Sequence, residues 1–144
     1  VQEAARARRL QLHVWKADSE AEIDAAFASL VEQHADALIV SANPFFDTRR
    51  DQLLALAARH AVPAIYQWRE FSAEGGLMSY GNSLTESYRQ VGTYAGRILR
   101  GEKPADLPVV QPTRVEFILN LKTAKMLGQT IPQSLLGTAD EVIE

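Results

Sequence analysis

The chain has 144 residues, enough for one compact domain or part of a larger protein. Its 47% hydrophobic and 23% charged content is that of an ordinary globular chain, and its net charge of −3 with dispersed basic residues disfavours nucleic acid as a partner. The absence of cysteine excludes disulfides, thiolate metal sites and cysteine nucleophiles, and no run approaches the roughly 20 apolar residues of a membrane helix.

Residues 1–9 read as the end of a helix, opening mid-element without an initiator Met. The start therefore looks like the continuation of something longer, and the absence of a signal peptide says nothing about destination. Leu10, Leu12 and Val14 alternate with polar or large neighbours, a strand period. Ser19-Glu-Ala-Glu22 is a capping box opening a helix with Ile23, Ala26, Phe27, Leu30 and Val31 on one face. Ala35–Ser41 is an apolar run broken only by Asp36, which suits a parallel strand covered on both faces.

Asp47 or Thr48 is expected to cap the next helix, which bears Leu53, Leu56 and Ala57, and Val62–Tyr66 to form the next strand. Together these make a βαβ unit, expected to be right-handed. Gly75-Gly76 marks a turn before a short strand, Leu77–Tyr80. Ser83-Leu-Thr-Glu86 is a second capping box, opening a long helix with Leu84, Tyr88, Val91, Ala95, Ile98 and Leu99 on one side, closed by Gly101. Residues 102–113 carry three prolines and read as an extended connector. Val115, Phe117 and Leu119 make one face of a further strand, Asn120 caps a short helix ending at Gly128, and the tail adds a helical turn or two. The alternation of strands and helices defines an α/β class with a parallel, Rossmann-like sheet.

Such sheets bind ligands outside the carboxyl ends of their strands. Phe45 and Phe46, then Tyr66, Trp68 and Phe71, then Tyr80, each follow a predicted strand. Asn43 offers a donor and an acceptor there, set against a common turn-forming role. Glu70 either accepts hydrogen bonds from a ligand's amine or pairs with Arg69 to order the loop, and the two readings stand even. Phe27, Phe117, Tyr88 and Tyr94 fall on helix or strand faces and read as packing. His13, His34 and His60 lie on separate elements without metal-ligand spacing. No phosphate loop or nucleophile elbow is present. The expectation is a small, partly aromatic ligand bound without chemistry, metal or cofactor.

Several ordered motifs carry a family resemblance. They are Arg69-Glu-Phe-Ser-Ala-Glu-Gly-Gly-Leu-Met-Ser-Tyr-Gly81, Tyr88-Arg-Gln-Val-Gly92, Gly101-Glu-Lys-Pro-Ala-Asp-Leu-Pro108, Gln111-Pro-Thr-Arg114, Asn120-Leu-Lys-Thr-Ala-Lys125 and Ala139-Asp-Glu-Val142. Together they resemble the substrate-binding component of ABC transporters of the tryptophan/tyrosine transport system type, in its C-terminal half. The resemblance implies a type I periplasmic binding protein fold, with two Rossmann-like lobes joined by hinge strands. It also implies an amino-acid-like, often aromatic, ligand, a membrane permease as partner and a periplasmic or extracytoplasmic location for the full-length parent. The ligand positions carried over are Asn43, Phe45, Tyr66, Glu70 and Tyr80. Residues 1–76 would then belong to the second lobe, 77–110 to the first, and 111–144 to the hinge return and C-terminal segment.

The resemblance implies a parent about twice as long, whose front is expected to lie outside this sequence. Strands without neighbours leave edges that invite pairing, so a homodimer is expected; a light-scattering mass of one chain would contradict it. A regulatory sensor module of similar fold, or a truncated domain without retained binding, are the alternatives.

Overall fold

A computed structural model describes residues 2–111 and 114–144, so the Pro112-Thr113 step of the predicted connector lies outside the described residues. The chain forms two compact units, residues 1–35 and 36–144.

In the first unit, α1 (Gln2–Ala7) ends in a left-handed Arg9. Residues 10–15 do not form the predicted strand. Their alternation is that of a strand, but a strand exists only through a ladder partner, and none pairs with it among the described residues. Leu10 and Val14 remain exposed, while Trp15 Nε1 donates to Ser29 Oγ at 3.1 Å. The helix α2 (Glu20–Glu32) begins as predicted, with Ser19 Oγ accepting from Glu22 N at 3.3 Å. The reciprocal bond is shifted by one residue: Glu22 Oε2 accepts from Asp18 N at 2.6 Å. Ile23, Phe27 and Leu30 are its buried stripe, with Val31 left at the exposed edge.

The second unit is built on one sheet of five strands in chain order: β1 (Leu38–Ile39), β2 (Ala64–Tyr66), β3 (Met78–Asn82), β4 (Val115–Asn120) and β5 (Glu141–Ile143). The first three are parallel, β4 runs antiparallel to β3, and β5 parallel to β4. The predicted run 35–41 contributes only two paired residues, at the sheet edge. Its sequence suits a strand with neighbours on both sides, yet here it has one, and Ile39 is 63% exposed.

From β1 to β2 the chain runs through α3 (Pro44–Thr48) and α4 (Arg50–Arg59). The helix bearing Leu53, Leu56 and Ala57 is capped by neither Asp47 nor Thr48 but follows Arg49 without a side-chain cap bond, and it is the preceding α3 that has a cap: Asn43 Oδ1 accepts from Phe45 N at 2.8 Å, and Pro44 follows at the first helical position, where no N–H is needed. Thr48 instead turns its hydroxyl back to Phe45 O at 2.7 Å. Leu53, Leu56 and Ala57 are buried as predicted.

The segment after β2 is not a loop but a short helix, α5 (Arg69–Ala73), packed against β3 and β4. Strand pleating puts Tyr66, Ser79 and Ile118 on one face, and all three are buried. Asn120 joins the layers. Its Oδ1 accepts from Thr123 N at 3.0 Å, starting α7 (Leu121–Met126), and its Nδ2 donates to Ser72 O at 2.9 Å. Thr123 Oγ1 donates to Gly75 O at 2.8 Å, tying α7 to the turn before β3.

The opposite face carries Ile65, Met78, Tyr80, Val115 and Phe117 along an open groove of about 520 Å³. The helix α6 (Leu84–Leu99) leaves β3 after its predicted cap, with Ser83 Oγ accepting from Glu86 N at 3.4 Å. None of its residues is buried, so the predicted apolar stripe forms without a cover: Leu99 is 87% exposed and Tyr88 68%. The connector contains a 3-10 turn at Pro104–Asp106, anchored where Tyr94 donates its hydroxyl to Pro108 O. After α8 (Gln133–Leu136), the tail adds β5, which the sequence did not reveal. It is held by Asp140, whose N donates to Phe117 O and whose Oδ2 accepts from Phe117 N, both at 2.8 Å.

Candidate functional site

The carboxyl ends of β1, β2 and β3 gather three segments at one rim: 40–43, 67–70 and 80–83. Each enters from a parallel strand, and the last two lead into helices α5 and α6. This is the edge at which an open α/β sheet places its ligands.

Asn43 and Phe45 sit on the first segment and the turn of α3 that follows. Asn43 has committed its Oδ1 to the helix cap, so its amide N–H groups are what it offers outward. Phe45 is half-buried beside Phe46, ring centroids 5.7 Å apart, with the Arg49 guanidinium 5.8 Å from the Phe45 ring centre. Tyr80 is 60% exposed in the middle of β3, with its ring 6.2 Å from Phe117 in an edge-to-face contact, and it lines the open groove.

Tyr66 lies elsewhere. Strand alternation turns it onto the helix-covered face, 2% exposed and stacked on Phe71 at 4.6 Å between centroids. It borders an apolar cavity of about 130 Å³ with Leu54, Val62, Leu77 and Met126. Val62 and Leu77 precede β2 and β3, so this cavity lies toward the amino ends of the strands.

Burial pushes the Tyr66 phenol well above its ordinary range. The unfolded chain therefore loses that proton first as pH rises. The stability is fully present below about pH 10 and falls above it, by about 1.4 kcal/mol per pH unit from this group. Thermal melts at rising alkaline pH should show Tyr66→Phe losing less stability than the parent; equal losses would contradict the assignment.

Glu70 occupies the first turn of α5. Glu70 acts on Arg69 through its charge, which helps to raise the Arg69 pKa, but the Arg69 hydrogen bonds go to another residue. Arg69 instead clamps Glu141 of β5 through Nε at 2.8 Å and Nη2 at 2.5 Å, and that hydrogen bonding raises its pKa. Glu70 Oε2 is buried and has no hydrogen-bond partner among the described residues. Gln67, one residue beyond β2, shares that condition at its Oε1. The sequence reading weighed aromatics after this strand and passed over the amide; its position one step past an apolar strand was the available signal, the same that drew attention to Asn43.

Gly81 fixes the spacing of this part of the rim. A Cβ built there would lie 2.2 Å from the Gln67 carbonyl oxygen and 2.9 Å from its Cγ. Only glycine lets β3 approach the turn after β2 this closely.

Asn43 and Phe45 thus follow β1, Gln67 and Glu70 follow β2, and Tyr80 lies within β3, on neighbouring strands. Among the described residues no three His, Cys, Asp or Glu side chains group as a metal ion would require. Among the described residues no helix is long and apolar enough to cross a membrane.

Solved structures share this fold. A conserved domain protein from Vibrio cholerae superposes with a TM-score of 0.87 at 20% identity, covering 98% of this chain and 47% of that one. An ABC domain from Streptococcus pneumonia in complex with L-Trp gives a TM-score of 0.87 at 25% identity, covering 98% of this chain and 49% of that one. The ligand-free, open substrate-binding protein CD0873 of Clostridium difficile, described as having adhesive properties, gives 0.65 at 22% identity, covering 99% and 47%. The chain therefore spans about half the length of these solved relatives. No curated protein matches it. The family model of the ABC transporter substrate binding protein matches residues 1–143, and the chain belongs to that family.

Proposed function

We propose that the chain is the ligand-holding part of the substrate-binding component of an ABC uptake transporter. It binds an amino acid with an aromatic side chain, without chemistry, and serves a membrane permease from the extracytoplasmic side. The observation that carries this reading is the placement of Asn43 and Phe45 after β1, Glu70 after β2 and Tyr80 within β3, on neighbouring parallel strands, in a chain of this family. Apolar rings beside a few polar groups suit such a ligand. The L-Trp complex of the Streptococcus relative, at 25% identity, supports tryptophan as the first ligand to try. Tyr66 serves from below, stacking on Phe71 and so bracing α5 beneath Glu70.

Residues 1–76 belong to one lobe, 77–110 reach into the other, and 111–144 form the hinge return and C-terminal segment. The bare face of α6 supports this division, since an apolar stripe of that length calls for a cover. So does the antiparallel pair β3–β4, which carries the chain out to α6 and back.

Isothermal titration of the chain against the amino acids tests the reading. Aromatic amino acids, L-tryptophan foremost, are expected to bind reversibly and remain unaltered. Binding confined to non-aromatic metabolites, or absent for all, would defeat it.

A further inference from the structure

We infer that the apolar cavity beside Tyr66 is a second ligand site, separate from the rim, which takes one small ring bearing a single hydroxyl, a phenol in its simplest form.

The cavity exists because residues around it are short. Ala57 and Ala58 lie in the last turn of α4, Ala61 follows it, Ala64 opens β2, and Gly76 stands in the turn before β3. Gly76 cannot be enlarged, since a Cβ there would lie 2.8 Å from both the Phe71 carbonyl oxygen and Tyr66 Cε2. The space of about 130 Å³ has a buried floor at Val62, Tyr66 and Leu77 and an open side at Ala58, Ala61 and Met126, the last 75% exposed. A small molecule can therefore enter from solvent. An apolar cavity of about 150 Å³ suffices to hold benzene.

One polar group in this lining is unmet. Tyr66 is 2% exposed, and its hydroxyl makes no hydrogen bond among the described residues. Its Cε2, next to the hydroxyl-bearing carbon, is the ring atom that comes nearest a Cβ at Gly76, so the hydroxyl end borders the cavity. Neighbouring polar groups are paired: Thr123 Oγ1 donates to Gly75 O at 2.8 Å, Gly76 N to Phe71 O at 2.7 Å and Val62 N to Ala57 O at 2.9 Å. A buried water needs two to four polar partners, and these leave it Tyr66 alone. A ring with one hydroxyl fits better. The ring supplies the dispersion contacts that an empty space forgoes, and its hydroxyl meets that of Tyr66. The Met126 thioether at the mouth is a soft, adaptable neighbour for an aromatic ring. The ammonium and carboxylate of an amino acid would find no charged partner in this lining, so the site stands apart from the rim.

The test is a methyl-resolved nuclear magnetic resonance titration of the labelled chain with phenol and with benzene, reported by Val62, Leu77 and Met126. Phenol is expected to shift all three saturably, with half-saturation at about 1 mM or below. Benzene should shift the same methyls but bind about threefold to tenfold more weakly, for want of one neutral hydrogen bond. Tyr66→Phe removes that bond and should bring phenol down to the level of benzene. Ala58→Leu fills the mouth from an exposed position and should abolish the shifts by both probes. No saturable shift with phenol, shifts that survive Ala58→Leu, or shifts at Phe45 and Tyr80 in place of these methyls would overturn the inference. So would phenol binding no better than benzene, or phenol binding equally to Tyr66→Phe. None of these outcomes touches the titration with L-tryptophan, which decides the rim separately.

Discussion

Phe71→Ala is expected to destabilise the chain by about 3–5 kcal/mol, read from the midpoint of urea unfolding at constant slope. Phe71 is 2% exposed on a helix of only five residues, which has almost no stability of its own. What holds α5 is packing. The ring stacks on Tyr66 with planes 12° apart, the Arg50 guanidinium lies 5.8 Å from its centre, and its carbonyl accepts from Gly76 N at 2.7 Å. Truncation leaves a void that cannot collapse easily, because Gly76 and the Tyr66 ring already touch: a Cβ at Gly76 would meet both the Phe71 carbonyl oxygen and the Tyr66 ring at 2.8 Å. For a domain of ordinary stability, about 5–15 kcal/mol, the loss is a large share. Because α5 carries Glu70, the same change should loosen the rim. A loss below about 1 kcal/mol would show that α5 is not anchored as described.

Gly81→Ala should damage fold and site together. Its added Cβ would stand 2.2 Å from the Gln67 carbonyl oxygen, which is backbone and cannot step aside by changing rotamer. Either β3 or the turn after β2 must move, at a cost of about 1–3 kcal/mol. The move displaces Gln67, so ligand affinity should fall further than stability alone explains. Gly92→Ala is the contrast. It lies mid-helix in α6 with nothing within 4 Å of an added Cβ, so the chain should gain about 0.5–1 kcal/mol from better helix propensity. Thermal melts of both variants check the pair. Equal effects would mean that the tight approach at Gly81 does not exist.

Elements with strong local signals were legible from the sequence. The Ser19 and Ser83 caps, the stripes of α2 and α6, and the Asn120 cap all depend on residues within a few positions of each other. What failed depends on distant partners. Residues 10–15 have the period of a strand and find no ladder, and the run 35–41 has the composition of a central strand and stands at an edge. Strand β5 is three residues long, too short for a period, and exists through Asp140 bonding back to Phe117 and Arg69 clamping Glu141. The Asn43 cap could have been read from Pro44 beside it.

At the proposed site, the strand ends after β1 and β2 were legible, whereas Tyr80, expected after a strand, lies in the middle of β3. Tyr66 did not follow, because proximity to a strand end ignores the pleat that turned its side chain under α5. Gln67 and the buried Oε2 of Glu70 without a hydrogen bond required three dimensions, since they depend on where Arg69 and Gly81 go.

The most direct test of the central claim is a residue-by-residue map of backbone amide shifts on adding L-tryptophan to the labelled chain. Changes concentrated at residues 43–46, 67–70 and 80–83 are the predicted result. Changes centred instead on the apolar cavity beside Val62, Leu77 and Met126, or spread evenly with no focus, would contradict a ligand site at the carboxyl rim.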